Sequence, residues 1–519
     1  MLKAIFMIKK LSNNLTKVYN WSDVSKLLEL LDSDDKSIAL CHGVFDLLHP
    51  GHIQHFNAAR ELAEVLIVSI TADQYVNKGP GRPLFNQDIR AQTLAAIENI
   101  DYIVICENPT AIQVIDEIKP DFYVKGMDYI SESEDVTGMI TKERSAVEKY
   151  GGKVHFTDEI TSSSSMLINK FFPNITLESQ DWIKSFKLEH GYDQVIEALD
   201  KISELSILII GETIIDQYTE CTPLAKSSKD PILAFHQHGT KLFLGGVLAI
   251  ASNCSNWVKK VNLISFCGEN DETLNSLLRG INSNITLKYV STGDRPTILK
   301  HRYVDKSSSS RLFEYYDFSE RELQSETTKD ILNLVKKTVN NFDLVLAADY
   351  GHSFFSDDLI SFFNSSVNFF SVNTQANAGN RGYNTISKYS RADFLTMNGA
   401  ELQLERRKKD LDYRQIVPEL MSKMGSKGAI VTLGGDGLLI FDDHGGFEKV
   451  PALAGKVIDK VGAGDSVFAI ASLLAKVGTP IKVIGFLSNL VAANEVSQLG
   501  HKKSLSQGDL RKHVKSVLG

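Results

Sequence analysis

Short apolar segments alternate with helical segments along this chain, and this pattern limits the folds that it can adopt. Ile38–Cys41, Val65–Ile70 and Tyr102–Cys106 are strand-like, and the segments near 51–63 and 87–97 between them are helical. Such alternation is typical of a parallel sheet whose strands are joined by crossover helices. We therefore predict an α/β fold, with ligands bound at the carboxyl ends of the strands.

A second alternating series starts at Ile207 and predicts another α/β domain. Between the two series, Phe172–Leu205 is helical and polar and holds the amphipathic segment Val195–Ile202, which indicates a domain junction. The strand-like segments of the second series are Ile207–Ile210, Val261–Phe266, Leu344–Ala348, Phe369–Val372, Phe394–Met397 and Ala429–Leu433. The predicted limits are an N-terminal extension at 1–36, a first domain at 37–172, a helical linker at 173–205 and a second domain at 206–519.

The composition excludes several classes of protein. Hydrophobic residues make up 43% of the chain and charged residues 23%, as in ordinary globular proteins. A net charge of -8 argues against a basic surface for nucleic acid. The five cysteines are scattered and lack the paired spacing of a zinc site or a disulfide framework, which favours reduced thiols.

The hydropathy pattern predicts a cytoplasmic protein. No run approaches the roughly 18 apolar residues of a membrane span. The apolar start of the chain is interrupted by Lys3, and no small-residue cleavage site follows it. We therefore expect neither a membrane partner nor a nucleic-acid partner.

The first candidate site follows the first strand, where the sequence from Cys41 to His52 reads CHGVFDLLHPGH. His49 and His52 are three residues apart, so they share one face of a first helical turn. Gly51 lacks the Cβ that would block an approaching phosphate, and a helix start carries a positive partial charge. Two imidazoles there favour stabilisation of charge on a nucleoside triphosphate under attack. A bare HxGH pattern also fits two ordinary surface histidines near a turn.

This region resembles the cytidylyltransferase-like superfamily, whose signature GxFDxxHxGH is matched at every fixed position from Gly43 to His52. Lys78–Pro83, Arg90-Ala91 and Val124–Tyr129 resemble the adenylyltransferase domain of bacterial bifunctional heptose kinase and adenylyltransferases. The resemblance implies a Rossmann-like domain with catalytic His49, His52 and Lys78. It implies nucleotide or phosphate contacts from Gly43, Phe45, Asp46, Gly51, Arg82, Lys125, Gly126, Asp128, Thr161, Ser162 and Ser163.

Two of these assignments have ordinary alternatives. The cations Lys78, Arg82 and Lys125 fit solvated surface charges. The hydroxyls of Thr161–Ser163 fit simple helix N-capping. Phe156 or Thr157 stands where related cytidylyltransferases carry an arginine, which favours adenylyl over cytidylyl transfer.

The second candidate site is the segment DKVGAGD, which ends at Asp465 and precedes the apolar helix Ser466–Ala475. Gly462 and Gly464 would expose consecutive N–H groups at a helix start, which forms an anion hole for a transferring phosphoryl group. Asp465 is placed there to accept a proton from an attacking sugar hydroxyl. The same string also fits an ordinary tight turn.

From about Ser206 to Gly519 the chain resembles the phosphofructokinase-B and ribokinase superfamily. The matching strings are Gly211-Glu212 with Asp216, Gly245-Gly246, Asn398–Glu401 (NxxE) and Val431–Gly437. The resemblance implies a ribokinase-like α/β sandwich with a small β lid near Thr219–Leu244 and with Asp465 as catalytic base. It implies sugar contacts from Asp216, Gly245 and Gly246, nucleotide contacts from Thr432, Gly434, Gly437, Gly462, Ala463 and Gly464, and Mg²⁺ held through water by Asn398 and Glu401.

Three departures from the family pattern concern the sugar. Ala249 stands where the family has an asparagine, and Asn373-Thr374-Gln375 replaces an acidic position. The domain order is reversed relative to the heptose enzymes, although Arg295–Thr297 and Asp349–Gly351 resemble strings of their kinase domain.

The leading hypothesis is sequential activation of a sugar. The second domain would phosphorylate a heptose-like sugar or sugar phosphate with ATP and Mg²⁺, and the first would couple a sugar 1-phosphate to a nucleotide and release pyrophosphate. The expected partners are therefore a sugar phosphate and ATP or CTP, with a homodimer or higher oligomer formed through the lid. Two alternatives remain, a cytidylyltransferase for a polyol or sugar phosphate and a kinase domain that serves only as a sensor.

Overall fold

The computed structural model describes residues 17–32, 36–78, 82–126, 139–157, 175–269, 271–293, 295–380, 382–455, 457–500 and 504–518. The described residues fall into two compact units. The first holds residues up to position 174 together with Arg511–Val517, and the second holds Ile175–Leu510. Among the described helices, none has the length and apolar character needed to cross a membrane.

Strands and helices alternate through much of both units. The strands are β1 (Val18–Asn20), β2 (Ile38–Gly43), β3 (Val65–Thr71), β4 (Tyr102–Cys106), β5 (Phe122–Gly126), β6 (Lys153–Thr157), β7 (Ser206–Gly211), β8 (Thr213–Lys226), β9 (Leu233–Gly246), β10 (Lys260–Cys267), β11 (Ile285–Ser291), β12 (Ile298–Asp305), β13 (Arg311–Asp317), β14 (Leu344–Asp349), β15 (Phe370–Thr374), β16 (Phe394–Asn398), β17 (Gly428–Thr432), β18 (Leu438–Asp442) and β19 (Phe447–Val450). The helices are α1 (Val24–Asp32), α2 (Pro50–Leu62), α3 (Gln87–Ala95), α4 (Ile112–Ile118), α5 (Ile140–Glu148), α6 (Leu177–Glu189), α7 (Tyr192–Ser203), α8 (Val247–Ser255), α9 (Glu272–Leu278), α10 (Ser325–Thr338), α11 (Asp357–Ser366), α12 (Gly399–Arg406), α13 (Tyr413–Met424), α14 (Ala463–Lys476), α15 (Ile481–Glu495) and α16 (Gln507–Leu518).

The first unit is built on a six-stranded parallel sheet in the order β1-β4-β3-β2-β5-β6. Every residue of β3 is buried, because helices cover both faces of the sheet and leave a hydrophobic core on each. β2 lies between β3 and β5, so the loops after these three strands open at one edge of the sheet. The predicted α/β fold with a Rossmann-like first half is confirmed.

The edges of this unit differ from the limits drawn from sequence. Val18–Asn20 lies in the stretch expected to be an extension, yet it pairs with β4 as the edge strand of the sheet. Helices α6 and α7, expected as a linker, belong to the second unit. They are held there by polar contacts, such as the indole N–H of Trp182 donating to Glu448 at 2.7 Å.

The second unit contains a nine-stranded sheet in the order β11-β10-β7-β14-β15-β16-β17-β18-β19. It is parallel up to β17 and antiparallel beyond it. A separate four-stranded sheet, in the order β13-β12-β8-β9, forms the β lid. The predicted ribokinase-like architecture is confirmed, and the lid is larger than the Thr219–Leu244 segment because β12 and β13 complete it.

Candidate active sites

The two histidines of the first site meet at the start of α2. His49 is the N-cap residue in an extended conformation, and Pro50 occupies the first helical position, which suits its fixed φ. The imidazole rings of His49 and His52 have centroids 3.9 Å apart. The backbone N–H of His52 donates to the carbonyl of His49 at 2.9 Å, which closes the first turn. Both imidazoles therefore lie at the positive end of the helix, together with the buried Gly51.

The loop between β2 and α2 shapes the entry to this helix. Gly43 ends β2, and an added Cβ there would lie 3.1 Å from the ring of Phe45. Phe45 adopts a φ of 48°, in the left-handed region that non-glycine residues seldom occupy. Its ring packs against His52, with centroids 5.4 Å apart. The aromatic side chain of Phe45 thus packs against the imidazole of His52.

Asp46 is buried and organises a neighbouring loop. Its carboxylate accepts the backbone N–H of Leu84 at 2.9 Å and of Phe85 at 3.0 Å, and the guanidinium of Arg82 at 3.3 Å. An aspartate with these partners fixes the position of Arg82. Asp46 therefore positions Arg82 and the loop that follows it.

Arg90 is a site residue whose role sequence reasoning missed. It is 1% exposed, and its guanidinium donates to the carbonyls of Phe85, Val44 and Thr71 and to the carboxylate of Asp73. It therefore joins the loops that follow β2 and β3 to the loop that precedes α3. The sequence places Arg90 in a string that resembles the heptose enzymes, but it does not show which groups Arg90 contacts.

Lys78 lies close to other cations. Desolvation by the surrounding protein lowers the pKa of its ammonium. The cations Arg82 and Lys125 lower the pKa further, whereas the carboxylate of Asp46 opposes them. Clustered positive charge of this kind favours a polyanionic ligand.

Lys125 is placed on β5 beside β2. Its ammonium lies 3.0 Å from the carboxylate of Glu143 on α5 and above the ring of Tyr123. Gly126 ends the strand next to it. Four predicted contact residues, Asp128, Thr161, Ser162 and Ser163, lie outside the described residues.

Two more histidines stand close to this edge of the sheet. His42, on β2, is within hydrogen-bond distance of Ser69 (3.1 Å) and Thr71 (3.4 Å). Burial and the charge of Lys125 lower the pKa of His42 to about 3, so its imidazole stays neutral. His55 contacts the hydroxyl of the buried Thr157 at 2.7 Å, so this imidazole also has a partner at the end of a neighbouring strand.

The second site starts with the glycine loop and Asp465. Gly462 is the N-cap residue of α14 with a φ of +84°, which favours glycine, and Gly464 is exposed with open space around it. Ala463 opens the helix, so free backbone N–H groups surround the start of α14. Burial raises the pKa of Asp465 to about 6.

Tyr350 holds the Asp465 carboxylate. Its hydroxyl donates to Asp465 Oδ1 at 2.9 Å, and burial raises the pKa of the tyrosine, so it keeps its proton. The backbone of Tyr350 is itself fixed: its N–H donates to Glu212 at 3.0 Å, and its carbonyl accepts the amide of Asn377 at 2.8 Å and of Asn380 at 3.1 Å. Sequence reasoning did not find this role, because Tyr350 and Asp465 are far apart in the chain.

Glu212 directly follows β7 and Asp349 ends the adjacent β14, and the two form a buried acidic pair. Glu212 accepts the backbone N–H groups of Tyr350 and His352, and burial together with the Asp349 carboxylate raises its pKa. Asp349 is bound by Tyr389, whose hydroxyl donates at 2.6 Å, and is ion-paired with Lys388. Glu212 thus shapes the loop after β14.

The β lid contributes both acidic and basic side chains to this site. Asp216 on β8 is ion-paired with Arg302 on β12, and both are buried. Lys300 lies opposite Asp216 in the strand register, is 6% exposed, and interacts electrostatically with Asp216 and Asp465. A Cβ on Gly245 would lie 2.8 Å from the Asp216 carboxylate, which explains the glycine there.

The second glycine of that pair, Gly246, has a φ of +53° and ends the lid strand. Ala249, in the following helix α8, is buried and offers no polar group. One turn later, the Asn253 amide donates to the hydroxyl of Ser466 at 3.0 Å, next to Asp465. The Asn253 amide therefore connects α8 to α14. Asn373, the other departure, donates to the carbonyl of Thr396 at 2.8 Å within the sheet.

Asn398 and Glu401 form a capping box at the start of α12. The Asn398 side chain accepts the N–H of Glu401 at 2.8 Å, and the Glu401 carboxylate accepts the N–H of Asn398 at 2.7 Å. The other carboxylate oxygen of Glu401 accepts the N–H of Ala376 at 3.2 Å. Burial, together with the charge of Asp465, raises the pKa of Glu401 to about 7.

Thr432 ends β17 beside Asn398 of β16, so the nucleotide-side turn lies next to the capping box. The turn joins β17 to the antiparallel β18. Gly434 and Gly437 have φ values of +60° and +88°, and a Cβ on Gly437 would lie 2.1 Å from the carbonyl of Val450. Only glycine fits at Gly437.

Comparisons with known proteins identify a family for each part of the chain. Residues 40–211 match the cytidylyltransferase-like family. The bifunctional protein HldE of Syntrophotalea carbinolica is 37% identical over 141 residues, which is 27% of this chain and 27% of that protein. The bifunctional protein HldE of Aliarcobacter butzleri is 40% identical over 145 residues, which is 27% of this chain and 30% of that protein. These matches lie in the first domain and cover less than two thirds of either relative.

The second domain has its own matches. A mutant of phosphofructokinase-2 from Escherichia coli shares the fold with a TM-score of 0.50 and 16% identity, over 60% of this chain and 99% of that chain. Residues 204–507 match the pfkB family of carbohydrate kinases, which is more than half of the sequence. The predicted order, a nucleotidyltransferase-like domain followed by a carbohydrate kinase domain, is confirmed. The chain therefore belongs to the pfkB family of carbohydrate kinases and carries a cytidylyltransferase-like domain ahead of its kinase domain.

Proposed function

We propose that this protein activates a sugar in two steps, first by phosphorylation with ATP and then by adenylyl transfer to a sugar 1-phosphate. One observation carries the proposal: each unit places its chemistry at the start of a helix suited to phosphate, with His49 and His52 on α2 and Asp465 on α14. The names of the relatives, bifunctional proteins HldE, support a bifunctional enzyme. We propose that the described residues of the first domain fall within 17–157 and those of the second domain within 175–510.

In the kinase step, a sugar hydroxyl attacks the γ-phosphorus of ATP. Its oxygen forms the new P–O bond as the bond to ADP breaks, and Asp465 accepts the hydroxyl proton. A pKa of about 6 leaves Asp465 ionised at neutral pH and basic enough for this transfer. The N–H groups of the Gly462–Gly464 loop stabilise the charge on the transferring group.

The kinase substrate carries an acidic group of its own, such as a phosphate. Burial lowers the pKa of His352 to about 4, and the nearby cations Lys300 and Arg295 contribute to this shift. Two cations and a neutral imidazole therefore share one region. Asp216 is ion-paired with Arg302 and also interacts with Lys300, so one carboxylate is shared between two cations. A buried Lys300 with a lowered pKa favours an anionic partner. These contacts support a sugar phosphate over a neutral sugar.

In the nucleotidyl step, an oxygen of the sugar 1-phosphate attacks the α-phosphorus and pyrophosphate leaves. The nucleophile is already ionised, so no residue needs to accept a proton. His49 and His52 donate to the oxygens on which charge develops, while Lys78 and Arg82 bind the leaving pyrophosphate. Phe156 or Thr157, in place of the arginine of related cytidylyltransferases, supports adenylyl over cytidylyl transfer.

The kinase residues fit Mg²⁺ carried by the triphosphate. Within the described part of the chain, no three His, Cys, Asp or Glu side chains form a metal site. Mg²⁺ prefers phosphates and waters with one or two carboxylates, so a complete protein cage is not needed. Each oxygen of Glu401 accepts one N–H and keeps a lone pair for a bound water. Mg²⁺ would neutralise phosphate charge, with Asn398 and Glu401 beside it.

The test is incubation of the protein with Mg²⁺, ATP or CTP, and a panel of sugars, sugar phosphates and sugar 1-phosphates. Mass spectrometry would detect phosphorylated sugars and nucleotide sugars, and a coupled assay would detect pyrophosphate. We expect phosphorylation of an acidic sugar and pyrophosphate release with ATP. Absence of both products would overturn the proposal, and a preference for CTP would replace adenylyl by cytidylyl transfer. Nucleotidyl transfer without any phosphorylation would favour a sensor role for the kinase domain.

A further inference from the structure

His352 carries a buried nitrogen whose hydrogen-bonding capacity is not used by the protein. The residue is 4% exposed, and within the described part of the chain its imidazole Nε2 has no hydrogen-bond partner. Buried polar side-chain atoms nearly always have a partner, which is a protein group, a water molecule or a ligand. The nitrogen is therefore available to a molecule that enters the site.

The backbone of His352 is held by the same acid that positions Tyr350. His352 lies in the loop after β14, and its N–H donates to the buried Glu212 carboxylate at 2.9 Å. That carboxylate also accepts the N–H of Tyr350, whose hydroxyl binds Asp465. The imidazole therefore belongs to the loop that positions the proposed catalytic base.

The imidazole of His352 packs against the β lid. Its ring meets the ring of Phe318, which directly follows β13, with centroids 5.0 Å apart. Tyr316 shares a side of the lid with Phe318, because alternate residues of an extended chain point the same way. Tyr316 pairs with Lys300 in the strand register, and the Lys300 ammonium lies 5.2 Å from the centre of its ring. The His352 imidazole and the buried Lys300 ammonium therefore lie on the same side of the lid.

The charges around His352 favour an anion. Lys300 and Arg295 lower the pKa of the imidazole in addition to burial, whereas the opposing effect of Asp349 is smaller. The imidazole is therefore neutral and carries one proton, which either ring nitrogen can hold. A phosphate oxygen at Nε2 would select the form with the proton on that nitrogen and would be attracted by the cations. A neutral hydroxyl would gain little from this positive potential.

We propose that His352 is a specificity-determining residue of the kinase site, which donates from Nε2 to the phosphate group of a phosphorylated sugar. The inference rests on the carbohydrate kinase function proposed above, and it adds a contact that distinguishes a sugar phosphate from a neutral sugar. Lys300 supplies positive charge to the same phosphate, while Asp465 accepts the proton of a hydroxyl elsewhere in the sugar.

The experiment measures the binding of inorganic phosphate to the full chain by isothermal titration calorimetry. Mg²⁺ and a non-hydrolysable ATP analogue are present at saturation, so that phosphate does not compete for the nucleotide sites. H352F keeps an aromatic ring against Phe318 but has no N–H, and H352Q restores a donor through its side-chain amide. H444F is the matched control, because the His444 side chain is 91% exposed.

We expect H352F to weaken phosphate binding about tenfold or more, the usual effect of removing a hydrogen bond to a charged group. H352Q should regain most of the affinity, and H444F should keep all of it. Phosphate binding that H352F leaves unchanged, or weakens no more than H444F does, would overturn the inference. A loss in H352F that H352Q does not restore would overturn the donor role of the imidazole.

The sugar phosphorylation assay, run on the same proteins, separates this inference from the function on which it rests. A wild type that phosphorylates neutral sugars but binds no phosphate would overturn the inference and leave the kinase intact. Phosphate binding that depends on His352, in a wild type that phosphorylates no sugar or sugar phosphate, would retain the anion contact and overturn the kinase function. A wild type with neither property would overturn both.

Discussion

The two candidate sites both lie at a helix start after the strands of a sheet, but the groups around that start differ. The first gathers the cations Lys78, Arg82 and Lys125, whereas the second combines the carboxylates of Asp465 and Glu401 with a cation of its lid, Lys300. The two proposed reactions require this difference. A phosphate nucleophile is already ionised and needs only donors and cations, whereas a hydroxyl must give up a proton.

The pKa values of buried groups also differ between the two sites. Burial lowers the pKa of His42 to about 3, which keeps an imidazole neutral in the cationic site. In the other site burial raises the pKa of Asp465 to about 6, which makes a carboxylate a better base. The same physical cause, desolvation of a charged form, thus acts in opposite directions on an acid and a base. The predictions below ask whether each activity depends only on its own set of residues.

The largest effect is expected from D465N, which removes the proton acceptor but keeps the shape. Sugar phosphorylation should fall about a thousandfold. Pyrophosphate release from ATP and a sugar 1-phosphate should stay at the wild-type rate, because that reaction needs no base. Equal losses in both assays would contradict the separation of the two sites.

H52N should have the reverse pattern. We expect pyrophosphate release to fall about a hundredfold, the usual cost of removing one donor that stabilises transition-state charge. Kinase turnover should not change. H155A is the control, since His155 is an exposed histidine of the same unit. A loss in H155A as large as that in H52N would show that the assay reports general damage.

The pH dependence sharpens the contrast. Kinase kcat should fall as pH drops below about 6, because protonated Asp465 cannot accept the sugar proton. The Tyr350 hydrogen bond lowers the pKa of Asp465, so Y350F should move this acid limb upward by about one pH unit. Rates measured from pH 5 to 8 would test this. An unmoved limb in Y350F, with a simple loss of kcat, would mean that the tyrosine acts on structure alone.

The smallest effect on chemistry is expected from G437A. The new Cβ would meet the Val450 carbonyl at a residue with a φ of +88°, so the second unit should lose about 2 kcal/mol of its free energy of unfolding. Urea denaturation followed through kinase activity would measure the loss. Gly435 has open space around it and is the matched control, so G435A should retain nearly all of the stability. A similar loss in both variants would point to helix or turn propensity instead of the clash.

Much of the fold and part of each site follow from local pattern. Apolar runs of strand length between helical segments predict parallel sheets, and the strands found at Tyr102–Cys106 and Leu344–Asp349 start where the pattern starts. His49 and His52 lie within one helical turn of each other, and so do Gly462 and Asp465, so spacing alone predicts the common location of each pair. Asn398 and Glu401 show that one spacing can serve two purposes. N-x-x-E resembles the family motif associated with Mg²⁺, and it is also the pattern of a capping box, which the structure contains.

What the sequence by itself determined is therefore the α/β class, the two domains in their order and the motifs at the helix starts, because each depends on periodicity over a few residues. The partners of those motifs were decided only by tertiary structure. Tyr350 meets Asp465, Arg90 joins three loops, and His513 meets Asn77 across most of the chain. No local pattern encodes such pairs, since packing of the sheet and its helices brings them together only after the whole domain has folded.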